Sequence, residues 1–189
     1  TGQKNIIDRG EASFMGDEFA TTRYVAFLHD DKFKLVYENA YSLIDKESTR
    51  MYRDTGNHWR SHIVIWAAKQ AIKIDGDFIE CGVHWGFLSK VICDYTNFEQ
   101  FKNKKFYLID NWGNPEKGNF DLKTKYNKDI LAKVKERFEK YPNVNFIRGN
   151  VPEILQEVPV KKIAYLSLDM NGSIAERATL ERYYDIITP

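Results

Sequence analysis

The stretch GDFIECGVHWGFLS, residues 76–89, sets the terms for the rest of the fold. A short apolar strand is expected at 78–81, with Glu80 closing it. A glycine-punctuated turn follows, and then a helix. Gly82 and Gly86 stand where main chain can pass close to a ligand with no Cβ in the way. Strand, glycine turn and helix N-terminus make the first βα unit of a nucleotide-type α/β fold, with backbone N–H groups turned toward the ligand.

The glycine spacing narrows the ligand. A dinucleotide fingerprint requires G-x-G-x-x-G. Gly82-Val83-His84 puts an imidazole at the second glycine, and no Gly-Lys-Ser/Thr follows for a phosphate loop. What remains is an acidic residue followed by Gly-x-x-x-Gly. That pattern suits a ligand without phosphate but with a cationic or hydroxylated part. It equally suits a plain strand-to-helix turn.

At 189 residues the chain is expected to form one structural unit, with a helical cap over 1–75 and a ligand-binding domain over 76–189. A net charge of +1 argues against a nucleic-acid footprint and against a polybasic membrane anchor. No apolar run approaches the ~18 residues of a membrane span. Cys81 and Cys93 suggest neither a disulfide framework nor a metal cluster, so a cytoplasmic setting is expected. The chain begins at Thr1 rather than Met, so the natural N-terminus is expected to lie further upstream.

Residues 1–19 lack a sustained period and read as a loosely ordered arm. Residues 31–46 read as an amphipathic helix with Phe33, Val36, Tyr37, Ala40, Tyr41 and Ile44 inward. A second helix is expected at 58–73, with Ile63, Trp66, Ala67 and Ala71 on its apolar side. After the glycine turn, helix is expected at 87–95, strand at 106–109, loop at 111–122 and helix at 126–140. Strands at 144–148 and 163–168 follow, with a final helix opened by a Ser173…Glu176 capping box. Alternating strands and helices imply a parallel sheet covered on both faces.

Ligands of such sheets lie beyond the carboxyl ends of the strands. Glu80, Asp110, Asn150 and Asp169 stand at those ends. Asp110 suits the two hydroxyls of a ribose, or caps a turn. Asn150 reads an adenine edge, or caps a helix ahead of Pro152. Glu80 either lines the pocket or holds N–H groups of the glycine turn. His58, Trp59, Arg60 and His62 gather at a helix start and either face the pocket mouth or are simply solvated.

These residues resemble a family. Glu80-Cys81-Gly82-Val83-x-x-Gly86, Asp110-Asn111-Trp112, Leu168-Asp169-Met170-Asn171 and the run from Leu180 to Thr188-Pro189 look like the S-adenosylmethionine-dependent O-methyltransferases of the macrocin (macrolide sugar) type. The resemblance covers about three-fifths of the chain, from near Gly76 onward. It implies a Rossmann-like class I methyltransferase fold with strand order 3-2-1-4 and an N-terminal helical cap. It also implies methyl transfer from S-adenosylmethionine to a hydroxyl of a small molecule such as a sugar or glycosylated natural product. Glu80, Gly82, Val83 and Gly86 would shape the methionine end of the pocket, with Ser89 reaching it and His84 covering the cofactor. Asp110 would hold the ribose, Asn111 and Trp112 would flank the adenosine, and Asn150 would approach the adenine. Asp169 would be the catalytic residue or a ligand of Mg2+.

The chain departs from the family pattern in three places. Asn171 stands where a second carboxylate is usual, and Gly113 follows Trp112 directly rather than one position later. The chain also stops where the family continues into further strands. A C-terminal truncation is therefore expected, with the outer edge of the fourth strand bare and open to self-association. Two other readings of function remain at this point: a non-catalytic S-adenosylmethionine-binding or assembly module, and a nicotinamide-dependent oxidoreductase, against which His84 argues.

Overall fold

The computed structural model describes residues 10–16, 19–42, 44, 56–113, 130–170 and 172–188. Two short strands, β1 (Phe14–Gly16) and β2 (Phe19–Thr21), pair antiparallel with Phe14 opposite Thr21. The expected loose arm is therefore a hairpin from residue 14 on; residues 1–9, 17 and 18 lie outside the described residues. Aromatic packing holds it. Phe19 stacks on Trp59 at 4.2 Å between ring centres, and Phe14 meets Phe27 edge-on.

Helix α1 (Asp31–Ser42) begins at Asp30, whose carboxylate accepts the N–H of Phe33 at 3.0 Å and the hydroxyl of Tyr95 at 2.9 Å. Its inward face is Phe33, Val36, Tyr37 and Ala40, as the period indicated. Helix α2 (His58–Ala71) turns differently from expectation. It buries Ser61, Val64, Ile65, Ala68 and Ala71 and leaves Ile63 and Trp66 exposed. Its sequence is apolar nearly all round between 63 and 68, so no single stripe marks the inward face.

The sheet follows in four parallel strands: β3 (Asp77–Cys81), β4 (Phe106–Asp110), β5 (Val144–Arg148) and β6 (Ile163–Leu168). Their order is β5-β4-β3-β6, the expected 3-2-1-4. Period-two alternation sorts the side chains. Phe78, Phe106, Leu108 and Tyr165 join the apolar cluster that includes α1, α2 and the two further helices α3 (Phe87–Thr96) and α4 (Leu131–Arg137). Ile79, Cys81, Tyr107 and Ile109 face the other way, and so does Ile163, which lies before the register shift that precedes Tyr165. There they meet a 3-10 turn at Glu153–Glu157 and Tyr183 of the last helix, α5 (Ser173–Tyr183). Cys81 and Cys93 are buried free thiols, one on each side of the sheet.

Three local expectations change. Asn150 does not cap a helix with its side chain; the chain passes a cis Val151–Pro152 peptide into the 3-10 turn, and the Asn150 carbonyl accepts the Ile154 N–H at 3.0 Å. The Ser173…Glu176 spacing does not form a capping box, because Gly172 rather than Ser173 occupies the cap position. The outer edge of β6 is not wholly bare: Ile187 pairs in parallel with Ile163, and the Thr188 N–H donates to the Ile163 carbonyl at 2.8 Å. The expected helix residues 126–129, most of the expected loop at 111–122, and Asn171 lie outside the described residues.

Candidate functional site

The carboxyl ends of β3, β4, β5 and β6 bring the expected residues to one edge, but several serve one another rather than open space. Asp110 ends β4. Its Oδ2 accepts the N–H groups of Val83 and His84, each at 2.8 Å, and its Oδ1 accepts the N–H of Trp112 at 2.7 Å. The turn-holding role considered for Glu80 falls to Asp110. An ionised carboxylate offers about four acceptor sites, and backbone donors take three of them.

Gly82 and Gly86 also turn out to serve the protein. Gly82 has φ +88, and a Cβ there would stand 2.2 Å from the Asp169 carbonyl oxygen. Gly86, at φ +69, packs so close to the Phe138 ring that a Cβ would come within 2.9 Å. The close approach inferred from the sequence is real on the protein's own side, toward Asp169 at the end of β6 and Phe138 at the end of α4. The main-chain N–H of Gly82 donates to Ile109, and that of Asp169 to Cys81, so the turn is tied to both neighbouring strands.

Glu80 is 2 % exposed and accepts the hydroxyl of Ser89, itself fully buried on the first turn of α3. Burial pushes the Glu80 carboxyl up to about 8, with the charges of Asp169 and Asp110 adding to the rise and the Ser89 hydrogen bond opposing it. Ser89 therefore holds Glu80 rather than reaching into a pocket. Trp112 is 1 % exposed, packs near Phe146, and donates its indole N–H to the His84 carbonyl at 3.0 Å. Trp112 is thus a core ring that braces the turn.

His84 sits at φ +53 in the turn that Asp110 holds. Burial lowers its imidazole to about 4, so it is neutral at ordinary pH. Asn111 and Asn150 are brought together, with the Asn111 amide donating to Asn150 Oδ1 at 3.2 Å. They join the ends of β4 and β5 at a half-exposed position.

At the other end of the edge, Arg60 of α2 reaches Asp169 at the end of β6, Nη1 to Oδ2, 3.1 Å. Both side chains are about two-fifths exposed. A pair so placed contributes about 0–1 kcal/mol to stability, so its weight lies in the charge it sets at the site. His58 and His62 of the same helix are not a solvated start. His58 stacks on Tyr37 at 3.9 Å and His62 on Phe27 at 4.4 Å, and burial lowers both imidazoles. No local pattern signals the Arg60–Asp169 pairing, because 109 positions separate the two.

The residues do not fit the expected Mg2+. Mg2+ takes oxygen ligands in near-ideal octahedral geometry. Asp169 instead meets a guanidinium, and among the described residues no group of three or more His, Cys, Asp or Glu side chains could hold a metal. Of the three strand-end carboxyls, Glu80 feels the charges of Asp169 and Asp110, while Arg60 pairs with Asp169.

A separate cleft of about 500 Å³ lies between α1 and α3, lined by Lys32, Val36, Asn39, Lys90, Asp94 and Lys140. It sits toward the C-terminal half of α3 and takes no part in the strand-end site.

No protein-family model matches the chain, and no curated protein sequence does. Solved structures do. The O-methyltransferase NovP matches with TM-score 0.58 at 17 % identity, over 86 % of this chain and 79 % of its own. CalS11, a calicheamicin methyltransferase, matches with TM-score 0.57 at 15 % identity, over 86 % and 77 %. Its apo form, described as a TDP-rhamnose 3'-O-methyltransferase of calicheamicin biosynthesis, matches with TM-score 0.51. The chain thus has the α/β Rossmann-like fold of class I methyltransferases.

Proposed function

We propose that this chain transfers a methyl group from S-adenosylmethionine to a hydroxyl of a small molecule, a sugar or sugar-bearing natural product. One observation carries the reading: the Asp110-held turn at Val83–His84, flanked by the Asn111–Asn150 pair and by Asp169, lies along the carboxyl edge of a sheet shared with O-methyltransferases. The macrocin-type motif order, 80–86, then 110–112, then 168–171, supports the same family. The names of NovP and CalS11 support an oxygen acceptor, and that of CalS11 a sugar.

S-adenosylmethionine would supply an electrophilic methyl on a sulfonium. The protein's part is positioning and charge. The turn, held by the ionised Asp110 carboxylate, would face the cationic end of the cofactor. Asn111 and Asn150 offer amide donors and acceptors to the adenosine end, and the remaining acceptor site of Asp110 can take one hydroxyl. At the far end, Asp169 would be the group that takes the proton released by the acceptor hydroxyl. His84, uncharged and at the second-glycine position, does not suit a dinucleotide pyrophosphate.

The test has two arms. Calorimetric titration of S-adenosylhomocysteine should show one saturable site, and a labelled methyl should pass to hydroxylated sugar acceptors. Binding without transfer across a broad acceptor panel would favour a non-catalytic cofactor-binding module. Binding of NADH in place of the adenosyl compound would favour an oxidoreductase.

Self-association through β6 is part of the same reading. Residues 187–188 cover only the Ile163 end, and Ile63 and Trp66 lie exposed on the helix packed beside that strand. Light scattering should report a mass above that of one chain; a monomer at high concentration removes the idea. A cytoplasmic setting is proposed with it; no helix among the described residues is long and apolar enough to cross a membrane.

A further inference from the structure

We infer that the positive charge at the end of β6 is the guanidinium of Arg60, and that it takes the place of a divalent cation at Asp169. The inference rests on the methyl-transfer reading only in taking this strand end as the place where the acceptor hydroxyl arrives.

Three observations carry it. Arg60 Nη1 stands 3.1 Å from Asp169 Oδ2, so a cation already occupies the carboxylate's outward face. The other two strand-end carboxylates are engaged by the protein's own donors. Glu80 is buried against Ser89, and Asp110 holds three backbone N–H groups. Finally, the position two after Asp169 is Asn171, a neutral residue by sequence. Among the described residues a divalent ion would find one outward carboxylate here and would have to displace a guanidinium from it, against like-charge repulsion at contact distance.

Arg60 also belongs to α2, the helix whose Trp59 stacks on Phe19 of the hairpin, whose His62 stacks on Phe27 and whose His58 stacks on Tyr37 of α1. The charge is therefore delivered by the cap, not by the sheet. Arg60 acts here as a positioning residue: it fixes the Asp169 carboxylate relative to the cap and sets the field in which the acceptor loses its proton.

Mn2+ serves as the probe. It is titrated into the full chain and followed by the electron paramagnetic resonance signal of the free ion. The wild-type signal should track that of the Asp169→Asn variant into the millimolar range. In Arg60→Met the carboxylate loses its cation, and Mn2+ affinity should rise by about tenfold or more. That gain should vanish in Arg60→Met/Asp169→Asn and shrink when Lys replaces Arg60.

Saturable sub-millimolar Mn2+ binding by the wild type, lost in Asp169→Asn, overturns the inference. So does Arg60→Met behaving like the wild type. S-adenosylhomocysteine titrated into the same samples reports on the methyl-transfer reading alone. If it fails to bind, that reading falls while the Mn2+ signal still decides the question of the cation.

Discussion

The carboxylate of Asp110 lies 2.8 Å from the main-chain nitrogen of His84, 26 positions earlier in the chain. Hydrogen bonds to an ionised acceptor contribute about 1.5–3 kcal/mol each, and a backbone donor left without its partner costs a similar amount. Asp110→Ala removes three such bonds at once. It should lower stability by about 3 kcal/mol or more in urea unfolding, even with no ligand present. If Asp110 served only to grip a ribose, unfolding would be unchanged and only cofactor affinity would fall.

Glu80 gives the protein a pH dependence of definite sign. Its folded value is about 8 against an ordinary 4.5, so the folded chain keeps a proton that the unfolded chain has released. The stability this confers is complete below pH 4.5 and is lost as pH rises through about 8. Glu80→Gln should flatten that slope and gain on the wild type by about 4–5 kcal/mol between pH 4 and pH 9. Urea midpoints measured across that range decide it. A cation near Glu80 favours the ionised form, so the preference for S-adenosylmethionine over uncharged-sulfur S-adenosylhomocysteine should grow over the same interval.

The acid side belongs to His84. Its folded value, about 4, lies below the ordinary 6.5, so its contribution is complete above pH 6.5 and is lost as pH falls through about 4. Glu80 slopes the other way over part of this window, so the measurement is best made with Glu80→Gln already in place. His84→Asn keeps a residue that tolerates φ +53 and removes the titration. The acid limb of the stability curve should become shallower; an unchanged limb would assign it to His58 and His62 instead.

The two glycines of the turn should differ. At Gly82 a Cβ meets the Asp169 carbonyl and its carbon, main-chain atoms fixed in the sheet, at 2.2 and 2.5 Å. At Gly86 it meets the rim of the Phe138 ring, which can give way. Both carry the left-handed cost of about 1–2 kcal/mol. Gly82→Ala should therefore unfold the chain or cost more than about 3 kcal/mol, while Gly86→Ala should stay nearer the left-handed cost alone. Thermal melts of the pair give the order.

The sheet was legible because short apolar runs such as Phe106–Asp110 and Ile163–Leu168 stand between turn residues, and chain order with right-handed crossovers leaves few topologies. The hairpin was not, since strands of three residues are too short to show a period. The inward face of α2 was hidden by apolar residues on every side of it. At the site, the sequence marked Glu80, Asp110, Asn150 and Asp169 as strand-end residues, and all four stand along one edge. It could not say which would meet each other. Asp110 reaches back to the turn, Ser89 to Glu80, and Arg60 to Asp169, all partnerships made by the packing of separate elements.

The packing of Gly82 on Asp169 from one flank and the grip of Asp110 from the other leave the Val83–His84 segment no freedom to swing. A guest arriving there meets a rim already set in its final shape, with the ordering cost met when the chain folded. Any movement that admits a guest must then belong to another element, such as the hairpin whose Phe19 rides on Trp59 of the helix that carries Arg60.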